Sequence, residues 1–368
     1  MILSKKIRLK PTKEQEKQLI KSAGTARFIY NWTLDRQETN FKAGGKFISD
    51  NDLRKELTQL KKTQFVWLSE VSANVAKQAV KDACDAYKKF FKKLAKKPKF
   101  KSKKKSKLSF YNDTHALEFK RNLVLIEKVG WVRCNESLVN QKFSNPRCSF
   151  DGKYWYLSVG IEVKEPAEKL TTDIIGIDLG IKDLAVVSNG LVFKNINKTK
   201  TVKKLKAKLK RFQKQVSRKY ENNKEGACYQ KTANIVKLEQ KIRLLHRRLK
   251  NQRENQRHQI TTLLVKTKPA KIVVENLDVK KMIKNKHLAK QIAEQSFFEF
   301  VRILQYKCEF YGIEFVKADR YFKSSQICSS CGVETGKKPL HVRSFVCPHC
   351  GTKHDRDLNA AINLANYK

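Results

Sequence analysis

Apolar and polar residues alternate through KIRLK (6–10), a two-residue period that predicts a short strand closed by Pro11. The period then lengthens. Thr12 and Gln15 form a T-x-x-Q capping box that opens a helix, and ARFIYNWTLDRQ (26–37) is expected as a second helical stretch. Ser49 or Asp50 caps a helix with Leu53, Leu57 and Leu60 on one face, and Ser69 caps a longer one holding Val71, Val75, Ala79, Ala83 and Tyr87. Alternation returns in LSFYN, LEFK, LVLIEK, GWVRC and RCSFDGKYWYLSVGIEV, where Asp151-Gly152 marks a hairpin turn. Short strands wrapped around a helical insertion predict a small barrel. The pattern is lost across EVKEPAEKLTT (162–172), which contains Pro166 and reads as a domain boundary.

Beyond that boundary the grammar changes. DIIGIDLG is a buried strand running into Asp178, and KDLAVVS and LVFK are two further antiparallel strands. Val202, Leu205, Leu209, Phe212 and Val216 step by three and four, as do Ile235, Leu238, Ile242, Leu245 and Leu249, which predicts a helical hairpin with basic outer faces. KIVVEN (271–276) is another buried strand ending in Glu275. SFFEFVRILQYKCEFYG (296–312) is a helix leading into the strand IEFVKA. A last amphipathic helix opens near Asp357, and no internal repeat is present.

Charge narrows the classes of partner. Across 368 residues, 80 Lys and Arg stand against 35 Asp and Glu, a formal net charge of +45. A field of that size repels itself unless a polyanion neutralises it, and phosphate backbones are the common neutraliser. The run AKKPKFKSKKKSK (95–107) carries eight lysines in thirteen residues and reads as a solvated linker or a phosphate-contacting loop. The opening MILSKK reaches lysine too early for a secretory signal, and no apolar run approaches the roughly 20 residues of a membrane span, so a cytoplasmic protein without a membrane partner is expected. Of nine cysteines, Cys84, Cys134, Cys148, Cys228 and Cys308 are scattered singly in apolar or helical patterns and are expected as buried thiols.

The other four cysteines carry a metal signal. Cys328-x2-Cys331 and Cys347-x2-Cys350, each followed by a glycine (Gly332, Gly351), have the spacing of a zinc ribbon. Four thiolates leave no open position, so Zn²⁺ would be structural; a redox reading accounts for one pair and leaves the other idle. His349, between two ligands, is expected at the surface, and His354 is read as structural or near the acids. Asp178 and Glu275 end apolar strands and Asp357 opens the final helix. A strand meander, a helix, a strand with an acid and a last acid-bearing helix is the element order of the RNase H-like fold, which brings such acids to one sheet edge. Converging carboxylates suit two hard divalent ions, Mg²⁺ or Mn²⁺, and in-line hydrolysis of a phosphodiester.

GIDLGIKDLAVVSNG, IVVENLD, DRYFKSSQICSSCG and CPHCGTKHDRDLNAAINL resemble the successive motifs of the TnpB (OrfB) proteins of bacterial insertion sequences, compact relatives of the type V CRISPR effectors. KIRLKPTKEQEKQL and ARFIYNWTL resemble that family's opening, so the likeness covers nearly the whole chain. The resemblance implies an RNA-guided DNA endonuclease with a RuvC-like (RNase H-like) α/β nuclease domain and an inserted zinc ribbon. An N-terminal β-barrel-like wedge domain would carry a helical recognition lobe. Its layout is a first wedge strand (1–11), the lobe with its basic linker (12–107), the remaining wedge strands (108–170), the nuclease core (171–319), the zinc ribbon (320–352) and a final nuclease segment (353–368).

By the same resemblance the catalytic metal acids fall on Asp178, Glu275 and Asp357, and the zinc ligands on Cys328, Cys331, Cys347 and Cys350. The D-x-N-A spacing to Asn359 favours Asp357 over Asp355, which is better placed as a helix cap. The implied partners are a guide RNA from the element's end and target double-stranded DNA beside a short adjacent motif. Arg27, Tyr30 and Trp32 are candidates for nucleic-acid contact, with helix packing as the competing role of the two aromatics. The chain ends at Lys368, without the longer basic tail of many family members, so tail-mediated RNA contacts are not expected. Two other readings remain: a nuclease-dead RNA-guided DNA-binding repressor, disfavoured because all three acids are kept, and a strand-transfer transposase.

Overall fold

The alternation at the start of the chain becomes a nine-residue strand, β1 (Ile2–Lys10), longer than the pattern predicts because Ile2–Leu9 pair with one neighbouring strand and Leu9–Lys10 with another. The computed structural model describes all residues except 104–105, 140, 167–168, 340 and 368. Lys104 and Lys105 of the basic run, Ala167 and Glu168 of the pattern-free segment, and Lys368 therefore lie outside the described residues. The chain forms two units, Met1–Val163 and Lys164–Lys368.

In the first unit β1 is followed by α1 (Lys13–Lys42), α2 (Asp50–Thr63), α3 (Ala73–Phe91), β2 (Ser109–Tyr111), β3 (Glu118–Lys120), β4 (Leu123–Ile126), β5 (Gly130–Cys134), β6 (Phe143–Phe150) and β7 (Trp155–Glu162). The capping box at Thr12 and Gln15 forms, but the two expected helical stretches are one 30-residue helix that passes straight through Gly24. Tertiary packing overrides the glycine. Leu19 and Ala23 face the sheet core, Ile29 packs with Leu53, Leu57 and Val80, and Leu34 packs with Ala83 and Tyr87. Ser49 caps α2, accepting from the Asp52 amide. The cap of α3 is Ser72, not Ser69, because Val66–Glu70 tightens into a 3-10 turn whose Ser69 hydroxyl donates to the Val66 carbonyl.

Seven strands form one sheet in the order β2-β6-β7-β1-β5-β4-β3. β2 and β3 are its unpaired edges among the described residues, so hydrogen bonding does not close the expected barrel. One core fills its inner face, with Trp155, Val124, Val132 and Leu157 nearly fully buried. The β6–β7 turn is pinned by Asp151, whose carboxylate accepts from the Lys153 and Tyr154 amides at 3.0 and 2.9 Å, while Gly152 takes φ +95°. The basic run is anchored within this unit. Lys101 pairs its backbone N–H and C=O with the Asn31 side chain at 2.8 and 2.9 Å.

The second unit contains β8 (Ile174–Leu179), β9 (Asp183–Val187), β10 (Val192–Lys194), α4 (Lys200–Asn222), β11 (Lys224–Glu225), β12 (Cys228–Tyr229), α5 (Ala233–Lys266) and β13 (Lys271–Val274). It continues with α6 (Val279–Met282), α7 (Ala289–Gln295), α8 (Phe297–Tyr311), β14 (Glu314–Lys317), β15 (Ser344–Val346), β16 (Lys353–Asp355) and α9 (Arg356–Ala365). Five strands make a mixed sheet, β10-β9-β8-β13-β14, with β8 antiparallel to β9 and parallel to β13. One face buries Ile177, Leu184, Ile272 and Val274 against Ile260 and Leu264 of α5 and Phe297, Phe300 and Leu304 of α8. α9 covers the opposite face through Leu364 against Val273. The first half of α5 pairs with α4 through Val202, Leu205, Leu245 and Leu249, as the stepping predicts. Cys84, Cys134, Cys148 and Cys308 are buried thiols, whereas Cys228 is exposed because it sits in the short β11–β12 hairpin.

Candidate active site and cysteine centre

Parallel pairing aligns two of the acids. Ile177 on β8 is in register with Val274 on β13, so the next residues, Asp178 and Glu275, stand side by side where the pairing of the two strands ends. The third acid, Asp357, is in the first turn of α9, the helix packed across β8. Asp355 rather than Asp357 caps that helix, its Oδ1 accepting from the Asp357 and Leu358 amides at 3.0 Å each. This leaves the Asp357 carboxylate free of capping.

The acids feel one another. Burial, then the Glu275 and Asp357 carboxylates, push the Asp178 carboxyl well above the usual carboxylate range, while Arg356 and Arg343 pull it partly back. Burial also raises the Glu275 carboxyl. Arg343 Nη1 lies 3.4 Å from both Oδ1 and Oδ2 of Asp357. An all-oxygen set of partly desolvated, mutually repelling carboxylates has the donor chemistry that hard divalent cations favour. Arg343 was not singled out by sequence reasoning, and only its place just before the second cysteine pair hinted at it.

The four cysteines meet as their spacing predicts. Among the described residues, Cys328, Cys331, Cys347 and Cys350 are the one set of three or more potential metal ligands whose donor atoms all lie within 4.8 Å of one another. The three acids stand further apart and interact through their fields. The sulfur pairs Cys328–Cys350 and Cys331–Cys347 are each 3.7 Å apart. An ion about 2.3 Å from four sulfurs gives tetrahedral edges of about 3.8 Å, so the set fits Zn²⁺. Each knuckle is tied by its glycine: Gly332 and Gly351 donate to the Cys328 and Cys347 carbonyls at 2.9 Å with φ of +74° and +70°. His349 is exposed, and His354 is buried with Nε2 3.1 Å from Cys328 Sγ.

The nucleic-acid candidates in the first unit are placed differently from one another. Tyr30 is buried beside Leu34, Ala83 and Tyr87, and Lys101 Nζ covers its ring at 3.5 Å from the centroid. Trp32 packs partly buried against the helical core. Arg27 is half-buried and lines a small cleft with Tyr30, Asp82 and Arg147. Arg147 and Asp82 form a bidentate pair at 2.8 and 2.9 Å, which holds the Asp82 carboxyl below its ordinary value despite burial.

Three family models match the chain. One described as "Cas12f1-like, TNB domain" spans residues 297–364, one described as "Probable transposase" spans 157–286, and one described as "Helix-turn-helix domain" spans 1–46. In this chain that last segment is a strand followed by one uninterrupted helix. A Streptomyces pristinaespiralis protein named "Putative RNA-guided DNA endonuclease" is 32% identical over 98% of this chain and 87% of its own length. The Escherichia coli (strain K12) protein named "Putative RNA-guided DNA endonuclease InsQ" is 30% identical over 98% of this chain and 90% of its own. A solved Cas12f1–sgRNA–target DNA complex aligns with a TM-score of 0.61 at 16% identity, over 96% of this chain and 84% of that one, which is a likeness of fold. Among the described residues no helix is long and apolar enough to cross a membrane.

Proposed function

Because the chain belongs to the family of TnpB-like RNA-guided DNA endonucleases, we propose that its acid cluster is the RuvC-like nuclease centre that hydrolyses target DNA. The protein is an RNA-guided DNA endonuclease, and its partners are a guide RNA and double-stranded target DNA. The observation that carries the assignment of the centre is the register of β8 and β13, which sets Asp178 beside Glu275 with Asp357 in electrostatic reach. The strand order, with its acid-bearing central strands and the final helix packed across them, supports an RNase H-like core. The ribbon would be an insertion in that core, and the seven-stranded sheet with its helices would form the wedge and recognition lobe. We read the guide as RNA from the end of an insertion sequence, the target as bearing a short adjacent motif, and the site of action as the cytoplasm.

Asp178, Glu275 and Asp357 would hold the catalytic Mg²⁺ or Mn²⁺. Bound there, such ions supply an activated water and charge stabilisation at the leaving oxygen. Asp178 is half-buried, so bulk water screens its field only in part. Arg343 and Arg356 offset the carboxylate charge from the ribbon side. Cys328, Cys331, Cys347 and Cys350 would hold Zn²⁺ with no open position, in a structural role. Base pairing with the guide reads sequence, so the protein needs chiefly backbone contacts. Lysines and arginines along α4 and α5, with Arg27 in the first unit, would provide them.

Asp178→Ala should abolish Mg²⁺-dependent cleavage while leaving RNA binding intact; cleavage at the original rate would remove Asp178 from the centre. Protein purified with its locus should carry a discrete RNA. Protein that is free of RNA and binds DNA equally well without it would contradict guidance. Retention of all three acids speaks against the nuclease-dead repressor, which should give target binding with no cut strands.

A further inference from the structure

His354 is neither one of the four cysteines nor one of the acids, yet it touches the first set and leads by sequence to the second. Its ring is buried at 8% exposure, with Nε2 3.1 Å from Cys328 Sγ. It lies on β16, opposite Phe345 of β15, and the residue after it, Asp355, caps α9. Asp357 follows two residues later, in the first turn of α9. The path closes on itself through α9. Asn359 donates to the Ile327 carbonyl at 2.7 Å and accepts from the Ser329 amide at 2.8 Å, and Asn363 donates to the Ser324 and Ile327 carbonyls at 2.8 and 2.7 Å. The first knuckle is therefore held from both sides, by His354 at its sulfur and by two asparagines at its backbone.

We propose that His354 is a positioning residue, whose hydrogen bond to the Cys328 sulfur both retains zinc and fixes the start of α9, so that the cysteine centre sets where Asp357 stands. The second half of the inference rests on the reading of Asp178, Glu275 and Asp357 as a divalent-ion site. A zinc-bound thiolate carries no proton, so the hydrogen must reside on Nε2 and point at sulfur. Four thiolates around Zn²⁺ leave a net charge of −2, and an N–H donor disperses part of it. The competing role is packing alone, since the ring also lies against Phe345, with centroids 5.2 Å apart at 33°.

The test uses the full-length protein loaded with zinc. His354→Phe and His354→Met keep apolar bulk and lack the N–H; His354→Gln restores a donor. Release of zinc to a colorimetric chelator should be about 10- to 100-fold greater for the first two than for wild type, with His354→Gln recovering most of the loss. Mn²⁺ affinity at the acids, read by electron paramagnetic resonance, should weaken in the same two variants and recover with His354→Gln. Having both apolar variants keeps the comparison available if one does not fold. Wild-type zinc retention in a folded apolar variant would overturn the hydrogen-bond role, and weakened zinc with unchanged Mn²⁺ affinity would overturn the link to Asp357. Mn²⁺ binding that is unaffected by Asp178→Ala would instead reject the acid-site reading, and the zinc measurements alone would still decide the bond to Cys328.

Discussion

Gly176 lies two residues before Asp178 on the central strand, and α9 presses against it. A Cβ built there would fall inside hard contact with the Ala361 carbonyl oxygen and the Ala365 amide nitrogen, and would meet the Leu364 carbonyl carbon at 3.0 Å, where ordinary contact begins at 3.4 Å. All three atoms are backbone, so no side chain can swing aside. Gly176 does not use the left-handed region, so Gly176→Ala acts through sterics alone. The helix must retreat from β8 by on the order of 1 Å, and overpacking of this kind costs about 3 kcal/mol. For a unit of this size that is a fall in Tm of roughly 6–12 °C. Because α9 carries Asp357 and β8 carries Asp178, the same retreat separates two of the acids, and misplacement of about 1 Å is worth roughly 100-fold in rate. Differential scanning calorimetry and cleavage of a guide-matched plasmid by the RNA-loaded protein would measure both effects. A Gly176→Ala protein with wild-type Tm and cleavage within about twofold of wild type would refute the close packing of α9 on β8.

The same substitution should act in the opposite direction at Gly24, mid-helix in α1, where a Cβ meets nothing within 4 Å. Gly24→Ala should stabilise the first unit by about 0.5–1 kcal/mol in urea unfolding, and destabilisation would contradict a continuous α1. Without added divalent cation, wild type should lose stability relative to Asp178→Asn as pH rises from about 4 toward neutrality. The raised Asp178 pKa means the folded state holds more protons than the unfolded state in that window, so ionisation opposes folding; a pH-independent difference between the two melting curves would contradict this. Removing zinc with a chelator, or Cys347→Ser, should lower both the stability of the ribbon and the cleavage rate; both unchanged would sever the cysteine centre from the acids.

Sequence pattern located the chemistry more readily than the supports that aim it. Cys328, Cys331, Cys347 and Cys350 were legible because metal knuckles are local, with glycines at fixed offsets supplying the positive φ. Asp178 and Glu275 were legible because each ends a short apolar run, and the parallel register then aligns them. Arg343, Gly176 and the His354–Cys328 contact were not, since each depends on a neighbour brought close only by folding. Ser69 satisfies the local rule for a cap, a serine just before an apolar run. The 3-10 turn that displaces the cap to Ser72 depends on Leu68 entering the helical core, which a local rule does not register. Tyr30 met the description of a nucleic-acid-facing aromatic, and its burial depends on α3 lying alongside α1.

The length of α1 has a mechanical consequence. Thirty residues of unbroken helix make a rod of about 45 Å. Its first turns are embedded in the sheet's core and its later turns in the cores of the helical lobe. Two helices joined at Gly24 would have provided a pivot there, allowing the lobe to swing while the strands stayed still. A single rod transmits bending and torque instead. A force applied to the helices would drag the sheet with it, so the first unit should move as one stiff body, and its strands and helices should melt in one step.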